Sequence, residues 1–148
     1  MNLYLESSVA LRDLLGAPDG EKLRSLVSSA EVVATSRLTL AEVARVLARL
    51  RVTEPILSAR VAAREAEFQA ESELWTLVPV DEEIWARCGR PFPVEPVRLL
   101  DAVHLATVEK ISAALPGLVV LSTDDRIRKN ATALGFSVQP RSPGPTDP

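Results

Sequence analysis

Apolar residues along this chain recur in two rhythms. Short, nearly unbroken runs of strand length alternate with longer stretches in which apolar positions return every three or four residues. Leu3-Tyr4-Leu5 marks a buried strand over 2–6. A helix over 9–15 follows, with Ser7 or Ser8 as its cap and Gly16 as its stop. Pro18-Asp19 opens a second helix running to about residue 29. Val32-Val33-Ala34 lies in a second strand, 31–35. Leu40, Val43, Val46, Leu47 and Leu50 share one face of a long helix over 38–51. Another helix covers 55–71, and 74–80 is strand-like. Asp81 caps a short helix that ends near Gly89. Pro91, Pro93 and Pro96 make the next stretch an irregular, stiff loop. A helix over 98–114 closes at Pro116-Gly117. A strand over 118–122, a helix over 126–134 stopped by Gly135, and a last short strand over 136–138 complete the series.

Strands alternating with helices predict a parallel sheet covered on both faces. The expected architecture is a three-layer α/β/α sandwich around a central, mostly parallel sheet. One domain over 1–138 accounts for the patterned residues, with no internal repeat. The segment 139–148 holds Pro140, Pro143, Pro145 and Pro148 and is expected to be a mobile tail. In such folds ligands bind beyond the carboxyl ends of the strands.

Composition narrows the function classes. The net charge is −3, which argues against a general nucleic-acid-coating protein. No apolar run reaches the length of a membrane span, and the N-terminus lacks a basic segment leading into an apolar one. A single cysteine, Cys88, allows no internal disulfide and fits a reducing cytoplasm. Aromatic residues make up 4% of the chain, too few for a base-stacking platform.

The chemistry lies in the acids. Glu6 ends the first strand, Glu42 sits just inside the long helix, Asp101 opens a later helix, and Asp124-Asp125 follows the strand at 118–122. All fall where an element begins or ends, so folding gathers them on one edge. Clustered carboxylates repel, and a divalent cation relieves the repulsion. Each acid also has an ordinary explanation. Thr39 and Glu42 have capping-box spacing. Asp101 is placed to pair with Arg98. Asp124 can cap the helix after it, leaving Asp125 as a first-turn charge, and Glu6 can be a polar strand terminus. His104, one turn after Asp101, reads as a core or supporting residue rather than a ligand. Trp75 and Trp85 read as core or dimer-interface residues. Arg45, Arg49, Arg60 and Arg64 form either solvated helix faces or a clamp for phosphates.

Four segments together resemble the PIN domain, in particular the VapC toxins of bacterial and archaeal toxin–antitoxin pairs. They are Tyr-Leu-Glu-Ser-Ser-Val (4–9), Thr-Ser-Arg-Leu-Thr-Leu-Ala-Glu-Val (35–43), Leu-Leu-Asp-Ala-Val-His-Leu-Ala (99–106) and Leu-Ser-Thr-Asp-Asp-Arg (121–126). The resemblance implies a Mg²⁺- or Mn²⁺-dependent endoribonuclease, often acting on tRNA or ribosomal RNA, blocked by a cognate antitoxin and usually homodimeric. It assigns catalysis to Glu6, Glu42, Asp101 and Asp125, and metal binding to Glu6, Asp101 and Asp125 with Asp124 beside them. One departure stands out: Glu6 occupies the position where the family usually has Asp. A longer side chain there raises a second possibility, a catalytically weakened module that binds RNA or antitoxin without efficient cleavage.

The expected chemistry is hydrolysis of a phosphodiester by metal-activated water, giving a 5′-phosphate and a 3′-hydroxyl. Ser8 and Thr123 are placed to position a carboxylate or water with their hydroxyls, and Arg126 to meet a substrate phosphate. A phosphatase or phosphotransfer domain is disfavoured. It needs a nucleophilic Asp at position 6 and a lysine just after a strand, whereas the lysines are Lys22, Lys110 and Lys129.

Overall fold

A computed structural model describes residues 1–140. Strand β1 (Asn2–Leu5) leads into helices α1 (Ser7–Leu14) and α2 (Gly20–Ser28). Strand β2 (Val32–Ser36) is followed by the long helices α3 (Arg37–Thr53) and α4 (Pro55–Ser72), then β3 (Thr76–Val78) and α5 (Glu82–Cys88). Helix α6 (Leu99–Ser112), β4 (Val119–Leu121), α7 (Asp125–Ala133) and β5 (Ser137–Gln139) complete the fold.

The five strands form one sheet in the order β3-β2-β1-β4-β5, and every pairing is parallel. Leu3 stands opposite Val33 on one side and Val119 on the other, which makes β1 the central strand. The chain adds β2 and β3 to one flank of β1, then crosses to add β4 and β5 to the other. The change of direction falls between β1 and β4, where open parallel sheets place their ligands.

Alternation along β1 explains the layering. Tyr4 packs into a cluster with Ile84, Val103, Leu105, Val108 and Val120 beneath α5, α6 and α7. Leu3 and Leu5 point the other way, to Val9, Leu23 and Leu121 beneath α1 and α2. A third cluster joins Ala10 and Leu14 of α1 to Val43, Leu47, Val61 and Phe68 of the α3–α4 hairpin. The three-layer α/β/α arrangement follows, with the central strand β1 buried on both faces and the edge strands β3 and β5 partly exposed.

Local signals act largely as the sequence predicts. Helix α1 ends in a Schellman turn: Gly16 adopts φ 69°, its amide donates to the Asp13 carbonyl, and that of Ala17 donates to Arg12. Asp81 caps α5 by accepting from the Ile84 amide at 3.2 Å. The strand expected over 74–80 contracts to Thr76–Val78, since Leu74 is exposed and Pro79 has no amide for the ladder. Gln139 pairs within β5, so the ordered sheet extends one residue beyond the boundary expected at 138. Residues 141–148 of the expected tail lie outside the described residues. Among the described residues, no helix is long and apolar enough to cross a membrane.

Candidate active site

The carboxyl edge of β1 carries Glu6, whose side chain is nearly fully buried. Its amide extends the β1–β4 ladder by donating to the Leu121 carbonyl at 3.1 Å. Its backbone is extended, and its carboxylate folds back to accept from the Ser8 amide at 3.1 Å. Glu6 is therefore the N-cap of α1, the role expected of Ser7 or Ser8. Those serines act on the carboxylate instead. Ser7 Oγ donates to Oε1 at 2.8 Å, Ser8 Oγ donates to Oε2, and Ser122 Oγ donates to Oε2 at 2.8 Å. Four donors from two strand ends thus fix one buried anion.

The same hydroxyls staple β1 to β4. Ser8 Oγ accepts from the Thr123 amide at 3.0 Å, and Ser122 Oγ accepts from the Asp124 amide at 3.1 Å. Ser8 holds the carboxylate as expected of it, whereas the observed tie to Thr123 runs through its backbone amide. The hydroxyl that reaches Glu6 from this segment belongs to Ser122, a residue the sequence reading passed over. Its position at the end of an apolar run was the available signal.

Glu42 projects from the first turns of α3. Ser36 caps that helix, accepting from the Leu38 amide at 3.2 Å. Thr39 is buried inside the helix, with its hydroxyl 2.7 Å from that of Thr35, so the Thr39–Glu42 spacing forms no capping box. Glu42 Oε2 instead lies 2.8 Å from His104 Nε2, and His104 Nδ1 lies 2.8 Å from the Tyr4 hydroxyl. His104 is buried, with Nε2 also 4.0 Å from Glu6 Oε1. The ring serves Glu42, in keeping with the supporting role expected of it. Burial, then the charge of Glu6, drives the Tyr4 hydroxyl pKa far above its ordinary value, so Tyr4 stays protonated.

Asp101 sits in the first turn of α6, half-buried, and its Oδ2 is fully buried with no hydrogen-bond partner. Burial raises its pKa above the usual carboxylate range. The charge of Asp124 adds to the rise, while the Arg98 amide, Arg126 and Arg98 oppose it. Asp124 caps α7, accepting from the amides of Arg126 at 2.8 Å and Ile127 at 3.4 Å. The two adjacent acids take different places. Asp124 is the acid set against Asp101, while Asp125 is exposed and lines a shallow depression with Val94, Arg128 and Lys129. The reason is helical geometry: the cap residue stays at the strand edge, and the next residue is swung outward by the first turn. Ile127 takes the buried position, which fixes the rotation of α7.

Ser122 thus links Glu6 to the Asp124 amide, and His104 lies between Glu42 and Glu6, while Asp101 feels the charge of Asp124. Among the described residues, no three His, Cys, Asp or Glu side chains form a ready-made metal cage. The orphaned Asp101 Oδ2 and the all-oxygen donor set fit a hard divalent cation. Glu6 fits less directly, because its oxygens already accept four hydrogen bonds. Arg64 is withdrawn from any phosphate clamp: it is bound to Asp13, Glu67 and Glu71 in a network joining α1 to α4.

The PIN domain model matches residues 3–133. The chain belongs to the PIN-domain family. Ribonuclease VapC46 of Mycobacterium tuberculosis is 32% identical over 136 residues, spanning 92% of this chain and 95% of that protein. Two solved structures share the PIN-domain fold at 20% identity. FitAcB from Neisseria gonorrhoeae has a TM-score of 0.64, with 92% of this chain and 95% of that one aligned. Mycobacterium tuberculosis VapC20, a toxin that cleaves the sarcin–ricin loop, has a TM-score of 0.59, with 91% and 96% aligned. This PIN domain keeps its acids on the edge where the strand order reverses, and places Glu6 first among them.

Proposed function

We propose that this PIN domain is a divalent-cation-dependent endoribonuclease and the toxin of a toxin–antitoxin pair, silenced by a cognate antitoxin protein and active as a homodimer. The observation that carries the reading is the buried, unpartnered Asp101 Oδ2 facing Asp124 in a chain 32% identical to a ribonuclease. A structured RNA, tRNA or ribosomal RNA, is the proposed substrate, which sets its workplace in the cytoplasm.

Asp101 and Asp124 would hold the cation, Mg²⁺ or Mn²⁺, with Glu6 joining directly or through water. When bound, the ion supplies an activated water and offsets charge on the phosphoryl oxygens. The protein's own groups do the rest. Glu42, anchored by His104, orients the attacking water and takes up its proton. Arg126 and Arg98, both exposed and both acting electrostatically on Asp101, attract the RNA phosphate to the acidic edge. Ser8 and Ser122 keep the Glu6 carboxylate from turning away. The role assigned to Asp125 by resemblance passes to Asp124 in this reading.

The test uses the purified full chain and a tRNA–ribosomal RNA mixture. EDTA should abolish cleavage, Mg²⁺ or Mn²⁺ should restore it, and fragments should carry 5′-phosphates. Asp101→Asn should be inactive with its fold intact, and cleavage at the parental rate by that variant would refute the assignment.

The saturated Glu6 carboxylate favours a second reading, a weakened module that binds without efficient cutting. Glu6→Asp separates the two. A large gain in metal-dependent cleavage would support the weakened module, and an unchanged rate the active enzyme.

A further inference from the structure

The segment between α5 and α6 has no hydrogen-bond ladder of its own. Pro91, Pro93 and Pro96 lack amides, and the backbone groups that remain need partners from side chains. Glu95 serves some of them. Its carboxylate accepts from the Phe92 amide at 2.9 Å and the Val97 amide at 2.6 Å, which closes the loop on itself. Asn130 of α7 serves the rest of the clasp. Its Oδ1 accepts from the Val94 amide at 2.9 Å, and its Nδ2 donates to the Val94 carbonyl at 2.9 Å and the Arg126 carbonyl at 3.1 Å. The side chain is fully buried. Aspartate would lack both donors, and glutamine would be longer by a methylene.

This clasp lies between the two acids proposed to hold the cation. Asp124 caps α7, the helix that carries Asn130, and Asp101 sits in the first turn of α6, which the clasped loop leads into. Helix α6 is continuously buried only from Ala102 to Val108, while Leu99 and Leu100 are exposed. Arg98 makes no side-chain cap, and Asp101 Oδ2 has no hydrogen-bond partner. The first turn of α6 is thus placed by the chain that leads into it, and Asn130 ties that chain to the helix of Asp124.

Resting on the endoribonuclease reading, we infer that Asn130 is a positioning residue, which clasps Val94 to α7 and so sets the spacing of Asp101 and Asp124 that the cation meets. It touches neither RNA nor ion and acts only through the two helix starts. Groups that orient metal ligands are worth about 10- to 100-fold in metal affinity, and a clasp acting through the backbone belongs at the lower end, about 10-fold.

Mg²⁺ titrations of the full chain, followed both by the rise in Tm and by RNA cleavage, test the clasp. In Asn130→Ala, half-saturation should need about 10-fold more Mg²⁺ by either readout, and excess Mg²⁺ should restore most of kcat. Val61→Ala removes buried packing in α4 without touching the clasp, so it should keep the parental half-saturation. Glu95→Ala, at an exposed position, loosens the same loop and should shift half-saturation in the same direction as Asn130→Ala. A folded Asn130→Ala with parental half-saturation overturns the proposal. So does an equal shift in Val61→Ala, which would make the effect one of general stability. If Asn130→Ala does not fold, Glu95→Ala decides, and parental half-saturation there overturns the proposal. A parent whose Tm rises with Mg²⁺ but which cleaves no RNA would sink the endoribonuclease reading alone, since calorimetry still decides the clasp. A parent whose Tm is unmoved by Mg²⁺ overturns both.

Discussion

Replacing Asp101 by Asn should stabilise the metal-free protein while destroying its activity. Asp101 Oδ2 is buried without a partner, and the carboxylate faces the charge of Asp124. Leaving a buried acceptor unsatisfied costs about 1–3 kcal/mol, with charged groups at the upper end. Asn keeps the shape but removes the charge, so about 1 kcal/mol should be recovered. In a chain of 148 residues this corresponds to a Tm about 3 °C higher. The pH dependence fixes the sign. The folded-state pKa of Asp101 is raised above its unfolded value, so the fold favours the protonated acid. Its contribution is fully present below the unfolded pKa and is lost as pH rises through the folded pKa. The gap between variant and parent should therefore open towards neutral pH and close in acid. Scanning calorimetry in EDTA from mildly acidic to neutral pH measures this directly. Adding Mg²⁺ should reverse the order, because a ligand at 100 times its Kd stabilises the parent by about 2.7 kcal/mol, and the variant should gain little. A variant less stable than the parent in EDTA at neutral pH, or one that gains equally from Mg²⁺, would refute the claim that Asp101 is a strained cation ligand.

The two neighbouring acids should separate cleanly. Asp124→Asn, which still caps α7, should lose most cleavage at parental stability, whereas Asp125→Asn should cut within about twofold of the parent, as befits a surface substitution. The reverse ranking in a single-turnover assay would restore the expectation drawn from resemblance. Asp13→Ala strips Arg64 and Arg24 of a buried carboxylate. With Glu71 and Glu67 still on Arg64, urea unfolding should report a loss of about 2–3 kcal/mol, below the full cost of breaking a buried pair. A loss under about 0.5 kcal/mol would show the network to be merely a surface one. Leu105→Ala, at a fully buried position beneath the sheet, should cost about 2–5 kcal/mol by the same measurement, and a near-neutral result would contradict the packing.

The order of elements, the parallel sheet and the acidic edge were all legible in the sequence, because they depend on period, turn chemistry and the rule that crossovers return a chain to the same edge. Leu3-Tyr4-Leu5 already declares a strand buried on both faces. Gly16 and Gly135 declare where helices stop. What the chain alone left undetermined were matters of rotation and reach. Asp124 and Asp125 are adjacent letters of equal charge, and only the docking of Ile127 against the sheet decides which of them faces Asp101. Glu6 reads as a strand terminus, yet it folds back as the cap of α1 and gathers three serine hydroxyls, two from the start of α1 and one from the residue after β4. Thr39 and Glu42 have the spacing of a cap, but burial of Thr39 removes that option and frees Glu42 for His104, 62 residues away. Pattern is a one-dimensional property and survives in the sequence. Partnership between side chains depends on distances of a few ångströms between segments far apart in the chain, and packing alone sets those.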